Sequence, residues 1–171
     1  MIYTKTGDDG TTALFNSQRC NKSDPVFDVL GTIDELNSSL GFLHIYKNDE
    51  IVVLIKEIQR DLFSLGSLIS GAPLTIQDLE NKTLQLEAII DKYDERVEEL
   101  RNFILPGGSM FSGYLNMSRA ICRRLERSLV AYGSNVYYIR YVNRLSDLLF
   151  VLGRYINKIE EIPDTIWKGT N

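Results

Sequence analysis

Val136-Tyr137-Tyr138-Ile139-Arg140-Tyr141-Val142-Asn143-Arg144-Leu145-Ser146-Asp147-Leu148-Leu149-Phe150-Val151-Leu152-Gly153-Arg154-Tyr155 decides the fold of this chain. Apolar side chains fill most of the stretch, with no strand alternation, and the pattern predicts a helix over 136–159 that is buried on several sides. Its longest apolar run, around Leu148–Leu152, is far too short to span a bilayer. A helix this apolar needs partners, and the rest of the sequence supplies them.

Val29, Leu30, Ile33, Leu36, Leu40 and Leu43 recur in steps of three and four, predicting a helix over 27–46. Val53, Leu54, Ile58, Leu62, Leu65 and Ile69 repeat that pattern over 50–70, and Gly71-Ala72-Pro73 ends it. Leu79, Leu84, Leu86, Ile89, Ile90 and Val97, set among many charges, predict a more exposed helix over 75–103. A fourth helix is expected over 110–131, after the loop Leu105-Pro106-Gly107-Gly108-Ser109. Ile2-Tyr3 and Ala13-Leu14-Phe15 offer only short extended pieces. The expected fold is therefore all-α: a five-helix, four-helix-bundle-like, up-and-down bundle with a polar loop at its N-terminus. A single domain over 1–171 is expected, with 1–26 as loop and connector, 27–159 as helices and 160–171 as a tail holding Pro163 and Trp167.

Composition narrows the function. The chain has 171 residues, 44% of them hydrophobic, which is enough for one substantial core. A net charge of −4 lacks the basic footprint of nucleic-acid binding. With no signal-peptide pattern or membrane span, a cytoplasmic location is the default. Cys20 and Cys122 have neither zinc spacing nor a disulfide framework. His44 is the single histidine, so a multi-histidine metal site is excluded; it reads best as a surface or satisfied helix residue.

The polar groups sit in three places. Thr4-Lys5-Thr6-Gly7-Asp8-Asp9-Gly10-Thr11-Thr12 crowds hydroxyls, glycines and a lysine where no apolar period exists. Such a loop suits a polyphosphate through backbone N–H groups and hydroxyls, and it equally suits an ordinary turn. In the fourth helix Arg119, Arg123 and Glu126 share a face that Arg127 extends, while Ser118, Cys122, Leu125 and Leu129 supply the core stripe and Arg124 points elsewhere. That face is either solvated or arranged for phosphate oxygens, which an arginine fork binds bidentately. In the fifth helix Asn143, Asp147 and Arg154 share a face within the apolar run, where unpaired polar groups are costly. They form a structural network or a binding surface. In the first helix Asp34 and Ser38 share a face, with Glu35 to one side; Asp34 serves the helix dipole or an interhelical or intersubunit partner. Neither glycine-rich loop matches a Walker or dinucleotide fingerprint.

Five motifs occur in order: the 4–12 loop; Gly31-Thr32-Ile33-Asp34-Glu35-Leu36-Asn37-Ser38; Phe103-Ile104-Leu105-Pro106-Gly107-Gly108; Arg119-Ala120-Ile121-Cys122-Arg123-Arg124-Leu125-Glu126-Arg127; and Asn143-Arg144-Leu145-Ser146-Asp147. Together, from Tyr3 to about Arg154, they resemble the PduO-type ATP:cob(I)alamin adenosyltransferases. The resemblance implies transfer of the 5′-deoxyadenosyl group of ATP to cobalt, release of triphosphate, and a homotrimer with intersubunit active sites. It implies that Thr4, Lys5, Thr6, Gly7, Asp8, Thr11, Thr12 and Lys22 surround the triphosphate. Arg123, Arg124, Glu126, Arg127 and Asn143 complete the ATP site. Asp34 and Arg119 match a pair bridging neighbouring subunits, and Phe103 matches an aromatic residue beside the corrin that helps displace the lower axial ligand. Magnesium would accompany ATP through phosphate oxygens and water, with no protein metal ligand. An external cobalamin reductase and an adenosylcobalamin-dependent enzyme are implied as partners. The competing reading is a non-catalytic module that binds and delivers ATP or adenosylcobalamin. The chain departs from the family pattern at Ala13, Asn16-Ser17, Cys20 and Asn116, and its connector between Arg127 and Asn143 is short.

Overall fold

The computed structural model describes residues 2–73 and 77–169. Its described elements are the strands β1 (Thr11–Ala13) and β2 (Arg19–Asn21), helices α1 (Pro25–Leu40), α2 (Asp49–Ile69) and α3 (Gln77–Asp94), strand β3 (Ile104–Leu105), helices α4 (Met110–Tyr132) and α5 (Val136–Ile159), and strand β4 (Thr165–Ile166). The side chains of residues 77 and 78 are not described, and the expected start of the third helix at Thr75 lies outside the described residues.

Local chemistry sets the helix ends. Pro25 opens α1, where its missing N–H costs nothing. The Asn48, Ser109 and Asn135 side chains cap α2, α4 and α5 by accepting from the backbone N–H of Ile51, Ser112 and Tyr137. Gly133, at φ 74°, closes α4 in the left-handed conformation.

Cross-links between helices give their directions. Asn37 O accepts from Gln59 while Gly66 lies against Leu30 and Ile33, and Ser39 meets Ser118 while Glu35 pairs with Arg124, so α2 and α4 both run antiparallel to α1. Cys122 bonds Val142 O, and Gly153 abuts Ser112, so α5 runs antiparallel to α4. Glu87 reaches Arg144 and Tyr93 packs on Tyr155, which places α3 parallel to α5. The up-and-down alternation holds, and α4 and α5 are spatial neighbours flanked by α1 and α3. Tyr141, Val142, Leu145, Leu148, Leu149 and Leu152 of α5 are fully buried, together with Leu36, Ile55, Leu62, Leu115 and Leu125. No described helix is long and apolar enough to cross a membrane.

Two boundaries differ from expectation. The first helix does not continue to Tyr46. At Gly41 it tightens into a 3₁₀ turn, Gly41–Ile45, with the Gly41 N–H on both Ser38 O and Ser39 O; glycine is a poor α former, and Leu43 stays buried through the change. The third helix ends at Asp94 and not at Phe103. Residues 95–101 are charge-dense and have no apolar stripe to dock, and α5 takes their carbonyls instead: Lys158 donates to Arg96 O at 2.6 Å and Arg154 to Glu98 O at 2.7 Å. The segment thus crosses the C-terminal end of α5 on its way to α4. Ala13 does lie in a short strand, whereas Ile2 and Tyr3 do not. The tail pairs back onto the chain through β4, antiparallel to β3.

Candidate active site

At the end of the bundle where α5 finishes, the crossing segment, the start of α4 and the tail enclose a cleft of about 690 Å³. Its wall includes Phe103, Phe150, Trp167, Arg119, Asn116 and Arg154. The turn beneath it is fixed by one buried side chain. Asn157 Oδ1 accepts from Ser109 N at 3.0 Å and its Nδ2 donates to Gly107 O at 3.1 Å. Gly108, at φ +102°, lies so close that a Cβ there would sit 2.2 Å from Asn157 Oδ1. Only glycine meets both conditions. Phe103 is 81% exposed at the cleft, with Trp167 in an edge-on contact at 6.4 Å between ring centroids. The Trp167 N–H donates to Phe103 O at 2.8 Å. Arg119 lays its guanidinium over the Phe150 ring at 5.3 Å, a cation–π contact that holds a cation against an apolar wall.

The 4–12 loop lies at the opposite end, with the β1–β2 hairpin and the start of α1; the hairpin's Asn16 side chain abuts Gly71, just past α2. Its bonds are local. Lys22 Nζ donates to Gly7 O at 2.7 Å, and Thr4 and Thr6 share a hydroxyl hydrogen bond of 2.9 Å. Asp9 accepts from both the N–H and the hydroxyl of Thr11, and these bonds hold its carboxyl below the usual range. Arg19 donates to Thr6 O at 2.9 Å and also bonds the Thr11 hydroxyl. Sequence reasoning missed Arg19; its signal was a lone arginine across the hairpin from the hydroxyl-rich strand. Lys5, Asp8 and Thr12 complete the loop, with Lys5 at φ 60° in the left-handed region uncommon for a side chain of its size.

Between these ends lies the polar face of α4. Ser118, Cys122, Leu125 and Leu129 are buried, as the core stripe requires. Arg123 and Arg127 are exposed and have no side-chain partner among the described residues. Arg124 pairs with Glu35. Glu126 accepts from Asn143 Nδ2 at 2.9 Å, so these two predicted site residues do meet. Asp34 is exposed and makes no bond to Arg119 within the chain, and none joins the 4–12 loop to Arg119, Arg123, Arg124 or Arg127 among the described residues.

The three polar residues of α5 do not form one network. Asn143 serves Glu126, Asp147 accepts from Arg144 at 2.7 Å, and Arg154 binds Asp164 and Glu98 O. Burial pushes the Cys122 thiol well above its usual range, with the Glu126 and Asp147 carboxylates adding to it, so it stays protonated and donates to Val142 O at 3.2 Å. His44 is exposed and bonds Gln59 at 2.6 Å. No group of three or more His, Cys, Asp or Glu among the described residues is placed to hold a metal ion.

The whole arrangement has close parallels. The sequence model of the family described as cobalamin adenosyltransferase matches residues 2–156. Corrinoid adenosyltransferase MMAB of Bos taurus is 37% identical over 182 residues, covering 98% of this chain and 76% of that one. A cobalamin adenosyltransferase of Cupriavidus metallidurans is 37% identical over 173 residues, covering 98% of this chain and 94% of that one. Among solved structures, a variant PduO-type ATP:corrinoid adenosyltransferase from Lactobacillus reuteri, complexed with cobalamin and ATP, superposes with a TM-score of 0.91 at 33% identity, over 100% of this chain and 98% of that one. Another variant of that enzyme, complexed with ATP, gives a TM-score of 0.89 at 33% identity, over 98% of this chain and 100% of that one. With the bundle, the Phe103 cleft and the hydroxyl-rich loop all in place, the match over nearly the full length means that this chain belongs to the cobalamin adenosyltransferase family.

Proposed function

We propose that the chain transfers the 5′-deoxyadenosyl group of ATP to the cobalt of cob(I)alamin, forming adenosylcobalamin and releasing triphosphate. The cobalt electron pair attacks C5′, the Co–C bond forms, and the C5′–O bond breaks with its electrons leaving on triphosphate. Cobalt rises formally from Co(I) to Co(III) as its electron pair becomes the Co–C bond, so the step itself needs no further electrons; an external reductant is needed beforehand, to supply the Co(I) substrate from oxidised cobalamin. The nucleophile belongs to the substrate, and the protein's part is to align the reactants, exclude water and stabilise the leaving group.

The observation that carries this reading is the cleft: the Phe103, Phe150 and Trp167 rings, interspersed with Arg119, Asn116 and Arg154, suit a corrin, whose apolar ring face is rimmed by polar groups. Phe103 is assigned to the corrin face. Thr4, Lys5, Thr6, Gly7, Asp8, Thr11, Thr12 and Lys22, with Arg123, Arg124, Glu126, Arg127 and Asn143, are assigned to ATP. Magnesium would enter with the triphosphate and neutralise part of its charge, held by phosphate oxygens and water. Among the described residues Arg123 and Arg127 have no side-chain partner, which leaves their guanidinium forks available to phosphate oxygens.

We assign the active form to a homotrimer in which Asp34 of one subunit meets Arg119 of the next. Support comes from Asp34, exposed and without a side-chain partner among the described residues, and from the exposed Phe42, Ile45, Met110 and Met117, with Phe42 stacked on Tyr114 at 4.3 Å. The chain acts as one helical domain, in the cytoplasm, with no nucleic-acid partner.

The test mixes the protein with ATP, magnesium and chemically reduced cobalamin. Adenosylcobalamin and triphosphate are expected in equal amounts. Binding of both substrates without product would replace this reading with a delivery module.

A further inference from the structure

We propose that Arg154 is a positioning residue for Phe103, acting through a tether to Asp164 that docks the tail across the cleft; this rests on the assignment of Phe103 to the corrin. The ring of Phe103 is 81% exposed, so side-chain packing does not hold it. Its position comes from its backbone, which is bound on each side. The carbonyl of Phe103 accepts from Trp167 N at 2.8 Å. The next residues, Ile104 and Leu105, pair with Ile166 and Thr165 of the tail. Upstream, Glu98 O is taken by Arg154 Nη2 at 2.7 Å.

A ladder of two residues does not hold itself together in water. It needs an anchor, and Asp164 stands immediately before β4 to supply one. Its Oδ2 accepts from Arg154 Nε at 2.9 Å, on a guanidinium whose side chain is only 6% exposed. One arginine on the rigid core helix α5 therefore holds both segments that flank Phe103. A planar fork with several donors fixed in one plane can bond a carboxylate and a carbonyl from separate segments at set angles, whereas an ammonium's three donors rotate on a flexible stem and set neither direction. Charge-assisted bonds made by a buried guanidinium are short and directional, which suits them to setting a position.

Trp167 is the only tryptophan in the sequence and contacts the Phe103 ring, so its fluorescence reports tail docking without any substrate. In Asp164→Asn, Trp167 emission is expected to shift to the red and acrylamide quenching to increase, with helical circular dichroism unchanged. In the adenosylation assay kcat is expected to fall roughly a hundredfold, the effect of misplacing a reacting surface by about an ångström, while the KM for ATP stays within twofold. Phe103→Ala added to Asp164→Asn should lower kcat little further, because both changes remove the same placement. Arg154→Lys should shift Trp167 as Asp164→Asn does; if it folds poorly, Asp164→Asn decides alone. Unshifted Trp167 emission in Asp164→Asn overturns the tether. Losses that multiply in the double variant, or a KM for ATP that rises with the loss, overturn the positioning role. Failure of the reaction reading is separate: wild type would then form no adenosylcobalamin, whatever Trp167 reports.

Discussion

The two ends of the bundle are built on opposite plans. At the cleft end, residues far apart in sequence lock one another: Asn157 holds the 107–109 turn, Arg154 holds Glu98 and Asp164, and Trp167 holds Phe103. At the loop end the side-chain bonds found among the described residues are local: Lys22 reaches Gly7, Arg19 reaches Thr6, Asp9 and Thr11, and Asp9 also accepts from Thr11. The first plan is complete within the chain, its bonds already made without any substrate. The second spends its cationic donors on the loop's own carbonyls, and under the proposed assignment a triphosphate must win those donors back. The difference teaches that one end of a bundle can be closed by long-range bonds while the other bonds mainly within itself; under the proposed assignment the first faces the corrin and the second is left for the nucleotide to complete.

The comparison is broken most sharply at its glycines. Gly108→Ala forces a side chain into φ +102° and onto Asn157, costing the strain and both Asn157 hydrogen bonds. A loss of about 3 kcal/mol or more is expected in chemical denaturation. Gly7→Ala is the control at the loop end. Its Cβ would meet the flexible Lys22 Nζ and Thr11 O at 3.2 Å, so a loss of about 1 kcal/mol or less is expected. Equal losses at the two positions would erase the contrast between the two ends.

Next in size is Phe103→Ala. An 81% exposed ring contributes little to folding, so the denaturation midpoint should hardly move. Adenosylation should fall roughly a hundredfold through loss of transition-state placement, with ATP affinity nearly constant. A parallel fall in ATP affinity would mean that the two ends are not separable. Arg123→Ala should do the reverse. Removing an unengaged fork should weaken ATP binding about tenfold or more, the worth of charge-assisted hydrogen bonds to phosphate, with stability and assembly unchanged. Isothermal titration with ATP and magnesium, run beside sedimentation, reads both quantities; a lost assembly at unchanged ATP affinity would give Arg123 to the subunit interface instead.

Much of this was legible in the sequence. The α4 core stripe of Ser118, Cys122, Leu125 and Leu129 followed from helical spacing alone, and so did the burial of α5. What spacing did not carry was where the crossing segment goes. Residues 95–101 have good helix formers, so local propensity extended α3 to Phe103; long-range bonds from Arg154 and Lys158 overrode it. For the same reason Arg154 read as part of one polar face with Asn143 and Asp147, although its partner lies in the tail. The clamp of Asn157 on Gly107 and Ser109 had no signal at all, since an asparagine late in a helix has many ordinary uses. The loop hydroxyls were visible by composition, while their inward bonding through Arg19 needed the hairpin register.

The smallest effect is expected at Arg124, and it sharpens the comparison because Arg124 adjoins Arg123 and points the other way. Arg124 pairs with Glu35 across α4 and α1, and both side chains are about half exposed, at 48% and 53%. A pair so accessible to water and salt is worth only about 0.5 kcal/mol. Arg124→Ala should therefore leave stability within about 0.5 kcal/mol of wild type. Its ATP affinity should fall less than that of Arg123→Ala, because Arg124 must first leave Glu35 to reach a phosphate. Glu35→Gln tests that order of events: freeing Arg124 from its partner should raise ATP affinity slightly, and only while Arg124 is present. If Arg124→Ala and Arg123→Ala weaken ATP binding equally, the Glu35 pair imposes no restraint, and both arginines belong to the nucleotide on the same footing.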